Sequence, residues 1–322
     1  MIGTVKKLLL LPHIKVHNAN ALSSPFTIGF PAMTAWLGAV HSLQRKLDEK
    51  GYSVCFDAVG VVSHHIDLQN YKGTNDFVSS IVGTGNPLDK SGLRSSFIEE
   101  ARCHLDVSLL IEYSGLEKEA EEIFLKQVVH ILNARMKIAG GDIQTFYAPE
   151  IMRVEEGNDK EIAKVTRKLM PGYALIERRD LMVDAMSNGQ DAVAALLDYL
   201  AVHHHCEQND HGEVTWNSGR KTNQKNPAGW IVPIATGFHG ISDIGIAKNQ
   251  RDPETPHRFA ESIVTLGEFK MPYRFNFISE LLWSYHYDEE NNLYICQQPN
   301  QNNFLKGNSN QSAEESIENE FN

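Results

Sequence analysis

The order in which hydrophobic periodicity changes over residues 1–150 constrains this chain more than any other feature. Leu8 to Val16 is continuously apolar and then alternates, which reads as a strand. From Pro31 to Lys50, Met33, Trp36, Leu37, Val40, Leu43 and Leu47 recur at helical spacing, with proline at the start and Gly51 after the end. Val54 to His65 and Arg102 to Tyr113 are β candidates, and Glu117 to Lys137 is a second amphipathic helix. Gly140-Gly141 then turns the chain into a last strand, Ile143 to Tyr147. Strand, helix, strand, strand, helix, strand is the order of a ferredoxin-like α+β domain, also used by RNA-recognition (RRM-like) modules. Its two helices cover one sheet face and leave the other face or its edges for a ligand.

Two connections are longer than this topology needs. Asn18 to Pro31 is rich in amides, hydroxyls, Gly and Pro, and reads as a recognition loop rather than mere linkage. Asp67 to Ser96 is polar and Gly-rich and should form an inserted protrusion at about 67–96. Further on, a helix is expected over Lys160 to Leu169, a strand over Gly172 to Glu177 and a helix over Asp180 to His203. A polar insert from His204 to Asn226 precedes a strand from Trp230 to Gly240. Pro256 to Leu266 and Asn276 to Tyr285 look helical, and Leu293 to Cys296 closes as a strand. The expected organisation is a modified ferredoxin-like core over 1–150, an α+β portion over 151–296 packed on it, and a disordered Asn-, Gln-, Ser- and Glu-rich tail over 297–322.

Composition narrows the function classes. Of 322 residues, 42% are hydrophobic and 22% charged, as in soluble globular proteins. No apolar run approaches the roughly 18 residues of a membrane span, and Leu8 to Leu11 is too short for a signal-peptide core, so no membrane association and a cytoplasmic location are expected. Cys55, Cys103, Cys206 and Cys296 are widely separated, which argues for reduced, buried thiols over a disulfide framework or zinc ribbon. The net charge of −11 opposes indiscriminate nucleic-acid binding. It hides two basic islands, each net +4. Residues 1–50 carry Lys6, Lys7, Lys15, Arg45, Lys46 and Lys50 against Asp48 and Glu49. Residues 160–179 carry Lys160, Lys164, Arg167, Lys168, Arg178 and Arg179 against Glu161 and Glu177. Such islands can hold a polyanion at one place while the acidic remainder faces protein; solvated helix faces give the same counts.

The familiar catalytic signatures are missing. There is no His-Glu-x-x-His and no Gly-x-Ser-x-Gly, and Gly85 to Ser91 ends like a phosphate loop without its second glycine. His203-His204-His205-Cys206 invites a metal, but neighbouring histidines on a helix point about 100° apart, so a polar helix end is preferred. Neither metal nor cofactor is expected. His64-His65 ends a strand, where one side chain faces a ligand while the other packs. Trp230 reads equally as a stacking platform or as core.

Together the segments resemble one family. Leu9 to Pro25, with Asn18-Ala-Asn-Ala-x-Ser-Ser-Pro25, then Gly29-Phe-Pro31, Val40-His41 and Leu43-Gln44-Arg45, look like the start of the second Csy subunit, the Cas-five-type (RAMP-type) protein of type I-F CRISPR surveillance complexes. The blocks continue through Glu99-Glu100-x-Arg102-x-His104-Leu105, Ala139-Gly140-Gly141, Leu169-x-Pro171-Gly172, Gly229-Trp230-x-Val232-Pro233, Glu254-Thr-Pro-x-Arg258-Phe259 and Leu281-Leu282-Trp283. The resemblance implies a non-catalytic subunit that grips the 5′ handle of the guide crRNA. It further implies pairing with the large target-sensing subunit, contact with the backbone subunit, and a place near target double-stranded DNA only indirectly.

Within that match, Asn18, Asn20, Ser23 and Ser24 are candidates for reading base edges and phosphates, since amides and hydroxyls both donate and accept. Phe30 and Trp36 are candidate stacking partners for an unpaired base, although Trp36 also lies on a helix's apolar stripe. Arg45, Arg102 and Arg258 are candidate phosphate clamps, with His104 beside Arg102 on one strand face. Gly140 and Gly141 would let RNA backbone close in, and a helix cap with a tight turn explains them almost as well. Two rival functions remain: an endoribonuclease of the same broad fold working through His64, His65 or His104, and a protein scaffold without RNA contact.

Overall fold

Leu8, Leu9, Leu10 and Leu11 are each no more than 2% exposed, because their strand lies inside a sheet covered on both faces there. The computed structural model describes residues 4–82, 88–94, 100–208, 212–222, 229–248, 250 and 252–299. Strand β1 (Val5–Asn20) is followed by a small hairpin, β2 (Leu22–Ser24) and β3 (Thr27–Ile28), and by helix α1 (Met33–Asp48). Next come β4 (Cys55–Leu68), the short pair β5 (Asn70–Tyr71) and β6 (Ser80–Ile81), and β7 (Arg102–Ser114). Helix α2 (Glu121–Arg135) leads to β8 (Lys137–Ile138), β9 (Gly141–Thr145) and β10 (Glu150–Glu155). The strands pair antiparallel in the order β4-β7-β1-β9, and β10 shares the same flank of β1.

Strand alternation sorts the side chains onto two faces. Leu9, Leu11, Val59, Val61, Leu105, Val107 and Leu109 meet Trp36, Leu43, Phe124 and Val128 of α1 and α2. Leu8, Leu10, Val62 and Leu110 point the other way, onto Val165 and Leu169 at the end of α3 (Asp159–Lys168) and onto Ile278 and Leu281. The second face is therefore closed over half its length, where an open face had been expected. Only its far end, towards Asn20 and Arg102, remains free of helix.

The remaining elements are β11 (Tyr173–Glu177), α4 (Arg179–Ser187), α5 (Ala192–Leu200), β12 (Val202–Gln208), β13 (Val214–Arg220), β14 (Trp230–Gly240), β15 (Ala260–Lys270), β16 (Ser284–Asp288) and β17 (Leu293–Gln297). They extend the sheet from β4 through β11, β15, β14 and β17 to β16, giving eleven strands in one mixed α/β architecture with five α-helices among the described residues.

Several local expectations fail for identifiable reasons. Pro256 to Leu266 is not helical: Ile263-Val264-Thr265 is β-branched, and β15 is paired on both sides, by β14 and β11. Asn276 to Tyr285 yields a four-residue 3-10 turn, Ile278–Leu281, and then β16. The helix expected over Asp180 to His203 breaks at Gly189, whose φ is +91°, and restarts where the Asp191 carboxylate accepts from the N–H groups of Val193 and Ala194 at 2.9 Å. His203 to Cys206 is strand β12, paired with β13 in an exposed ribbon, not a helix end. The first strand continues to Asn20, so the supposed recognition loop is partly strand and partly hairpin. Cys103 and Cys296 are buried as expected, whereas Cys55 and Cys206 are exposed. The tail from residue 300 on, parts of the 67–96 protrusion and of the 204–226 insert, Gly85 of the phosphate-loop near miss and Glu99 of the family blocks lie outside the described residues.

Candidate nucleic-acid interface

Two β-bulges face each other across β7. Strand β1 slips its register between Leu11 and Ile14, and β4 slips between Ser63 and His65. The first bulge puts His13 at a φ of +48°, and the second leaves His64 without a partner in the ladder. Both rings turn onto the uncovered face, where they stack with centroids 4.0 Å apart over Asp106 and Ser108. Tyr147 closes the side, its ring 4.9 Å from that of His13.

The hydrogen bonds fix the protons in this cluster. His64 Nδ1 lies 2.6 Å from the Pro171 carbonyl, which only accepts, so Nδ1 carries the proton. His64 Nε2 then accepts from Ser108 Oγ at 2.7 Å, and Ser108 Oγ accepts from the His13 backbone N–H at 3.0 Å. Burial holds the His64 pKa below its ordinary value, with the Pro171 hydrogen bond opposing and neighbouring His13 reinforcing, so His64 is neutral at pH 7. His13 Nδ1 meets Asp106 Oδ1 at 3.0 Å. The ligand atoms of His13, His64 and Asp106 lie within 4.8 Å of one another, a spacing compatible with a metal. Imidazole lone pairs lie in the ring plane, however, and these planes differ by only 22°. They do not converge on one ion, and both His64 nitrogens are already engaged. The arrangement is a hydrogen-bonded platform.

The platform continues along β1 and β7. His17 stacks on His104 with centroids 4.2 Å apart, and His104 Nδ1 accepts from the Asn18 backbone N–H at 3.0 Å. Lys15 and His17 are exposed beside it, and Arg102 is ion-paired with Glu100. At the other end, α3 presents Lys160, Lys164 and Arg167 at helical spacing, all exposed. The residues just after α3 supply the Pro171 carbonyl that holds His64. The rest of that second basic island is neutralised: Arg178 binds Asp180 and Glu268, Arg179 binds Glu177, and Lys168 binds Glu150.

The structure thus brings Asn18, Arg102 and His104 together and separates the other expected residues. Trp36 is fully buried and donates its indole N–H to the Pro31 carbonyl at 3.1 Å, and Phe30 is 8% exposed and stacked on it. Both are core: Trp36 has no face for a base, and Phe30 keeps only its 8% exposure towards a cavity it shares with Tyr173, Trp230 and Phe269, which corrects the stacking expectation. Asn20 spends its amide on Leu22 (3.0 and 3.1 Å), and Ser23 and Ser24 bond Thr27 Oγ1 at 2.8 and 2.7 Å, bracing the β2–β3 hairpin. Gly141 admits the chain itself: a Cβ there would stand 2.8 Å from the Ala19 backbone. Gly140 has φ +75° and open space. Arg45 is exposed on α1, on the opposite side of the sheet from Arg102. Arg258 precedes β15, four strand positions from β1, about 19 Å at the usual strand spacing.

His13, Lys15 and His17 were not singled out together from the sequence. Their signal was present: His-Ile-Lys-Val-His alternates polar and apolar with the period of a strand. Trp230 resolves as 52% exposed, against Tyr173 and Phe269.

Comparison with known proteins gives this surface a family. The family model for the CRISPR-associated protein (Cas_Csy2) matches residues 9–296, which span every element of the sheet. The chain is 33% identical over 313 residues to the CRISPR-associated protein Csy2 of Pseudomonas aeruginosa (strain UCBPP-PA14), covering 91% of this chain and 95% of that protein. A match that runs from β1 to β17 without losing either half is a match of the whole fold, and the chain belongs to the Cas_Csy2 family.

Proposed function

We propose that the chain is a non-catalytic subunit of a type I-F CRISPR (Csy) complex that binds the 5′ handle of the guide crRNA and pairs with the large target-sensing subunit. In this reading it also abuts the backbone subunit, meets target double-stranded DNA only indirectly, and works in the cytoplasm. The observation that carries this is the family match over residues 9–296. A ferredoxin-like, RAMP-type core is supported by the order β4-β7-β1-β9, with every pair antiparallel and both helices on one face. RNA contact is supported by a sheet end that offers stacked imidazoles, Lys15, Arg102 and the Asn18 amide in place of apolar residues. The test is reconstitution with guide RNA carrying a photoreactive handle. Crosslinks are expected on β1 and β7, and the double variant Lys15→Ala/Arg102→Ala should weaken handle binding by about 1–3 kcal/mol without lowering the melting temperature. Crosslinks confined to other elements would sink the handle assignment.

One observation favours a second reading. His13, His64 and Asp106 form a histidine pair with a carboxylate, a set that general acid–base cleavage of RNA could use. Against it stands the closed proton network, in which His64 has no free nitrogen for substrate. Metal-independent cleavage of repeat RNA by the purified protein, lost in His13→Ala, would replace the first reading with this one.

A further inference from the structure

The hairpin formed by β14 and β15 carries an arginine that has no acidic partner among the described residues. Past Gly240 and Ala260 the two strands continue as a ribbon, tied by Ile241 N–H to the Phe259 carbonyl (2.9 Å) and by reciprocal bonds between Gly245 and His257 (2.9 and 2.7 Å). At its base Arg258 lies along the Gly240 backbone, where a Cβ would stand 2.5 Å from Arg258 Cδ. Arg258 Nη1 donates to Asn292 Oδ1 at 2.6 Å, and Nε is buried with no acceptor. The guanidinium lines a cavity of about 280 Å³ shared with Phe238, Ile244, His257, Tyr287 and Tyr294, none of them acidic. Two of the hairpin's carboxylates are turned elsewhere: Asp252 accepts from Thr255 and Glu254, and Glu261 faces His239 at 3.2 Å.

A half-buried cation without a counter-charge is an unfavourable arrangement that an incoming anion relieves. Two features decide which anion. Between Gly240 and Ala260 the ribbon carries Asp243, Asp252 and Glu254 against Lys248, Arg251 and Arg258, so it has no excess positive charge to draw a polyanion. Along the ribbon Ile241 is 59% exposed, Ile244, which lines the cavity, 61%, Ile246 77% and Phe259 60%, more apolar surface than solvent alone explains. A fixed arginine set among exposed aromatic and aliphatic side chains is the composition of a protein–protein interface centre.

We propose that this hairpin is a protein-docking surface, in which a partner protein inserts an Asp or Glu carboxylate onto Arg258 and covers the isoleucines around it. The inference rests on the functional reading above only for the choice of partners to test. It also reassigns Arg258 from phosphate clamp to protein anchor.

The experiment uses the full chain with its complex partners, comparing wild type with Arg258→Glu, Arg258→Gln and Ile244→Asp. Protein–protein affinities are measured without RNA, handle crosslinking is measured in the assembled complex, and melting temperature serves as the folding control. Each variant is expected to weaken association with one protein subunit about tenfold or more, leaving handle crosslinks and melting temperature unchanged. An acidic-to-arginine change in that subunit should rescue Arg258→Glu. Unchanged protein affinities with lost RNA crosslinking would make Arg258 a phosphate contact and overturn the proposal, as would no effect on either. A defect that vanishes once residues 300–322 are removed would assign the cavity to the chain's own Glu-rich tail, also overturning it. Wild-type protein that binds no handle would sink the functional reading and still leave the Arg258 result legible.

Discussion

A histidine half-buried against a second histidine holds its proton poorly, and His64 is in that position. Its folded pKa lies below the ordinary value of 6.5, so the sign of its pH effect is fixed. Above pH 6.5 the folded and unfolded chains are both neutral at this site. As pH falls through 6.5 the unfolded chain takes up a proton that the folded chain refuses, and stability drops until the folded pKa is reached. His64→Asn, which keeps a donor for Pro171, is expected to flatten the fall in melting temperature between pH 7 and pH 5. At pH 7.5 it should lower stability by about 1 kcal/mol, for the lost Ser108 bond. Parallel melting curves for the two proteins across that range would show that His64 does not titrate differently on folding. The sequence displays the alternation of His13, Lys15 and His17, but not the bulges that aim His13 and His64 at each other. A bulge depends on an unpaired residue in a partner strand, which local periodicity does not encode.

At the scale of elements, β1 and β9 show how closely this sheet is fitted. Gly141 and Gly140 are adjacent and serve different ends. Gly141 is required for space, because a Cβ would press on the Ala19 backbone at 2.8 Å and on Val16 Cγ1 at 2.7 Å. Gly140 is required for its φ of +75° alone, with nothing within 4 Å of a Cβ. Asparagine adopts the left-handed region more readily than other side chains. Gly140→Asn should therefore cost less than about 1 kcal/mol, while Gly141→Asn should cost about 1–3 kcal/mol or more through overpacking. Urea melts of the two variants give the comparison, and equal losses would refute the division of roles. The pair was legible from sequence as a turn, and the structure assigns one of the two to close packing of the chain on itself.

Elements of the first half were legible because each carries one clear period: α1 has its apolar stripe from Met33 to Leu47, and β4 its valines. In the second half α3, β11, β14 and β17 were legible for the same reason, whereas β15 was not, because it mixes spacings. Ile263, Leu266 and Phe269 mimic a helical stripe, yet β14 and β11 claim both of the strand's edges. Tertiary pairing decides such segments.

The whole molecule behaves as one sheet whose halves complete each other. β11 pairs with β4, and Trp283 exchanges two backbone hydrogen bonds with Val59 at 2.9 Å while its indole N–H reaches the Leu175 carbonyl. Residues beyond 150 therefore cover about half of one face of the first strands, burying Leu8, Leu10, Val62 and Leu110. Removing that cover would expose four large side chains worth about 2 kcal/mol each, roughly 8 kcal/mol in all. That is comparable with the entire stability of a typical domain, about 5–15 kcal/mol. It would also take away the Pro171 carbonyl that fixes His64, so the candidate interface would lose its order with the core. A fragment of residues 1–150 is thus expected to lack a cooperative thermal transition and to bind hydrophobic dyes. A fragment ending at residue 299, which keeps every strand, should melt as one unit. If instead 1–150 gave dispersed amide spectra and a sharp melt, the strands β4, β7, β1 and β9 with α1 and α2 would be self-sufficient, and the closed second face would be a docking contact rather than part of the core.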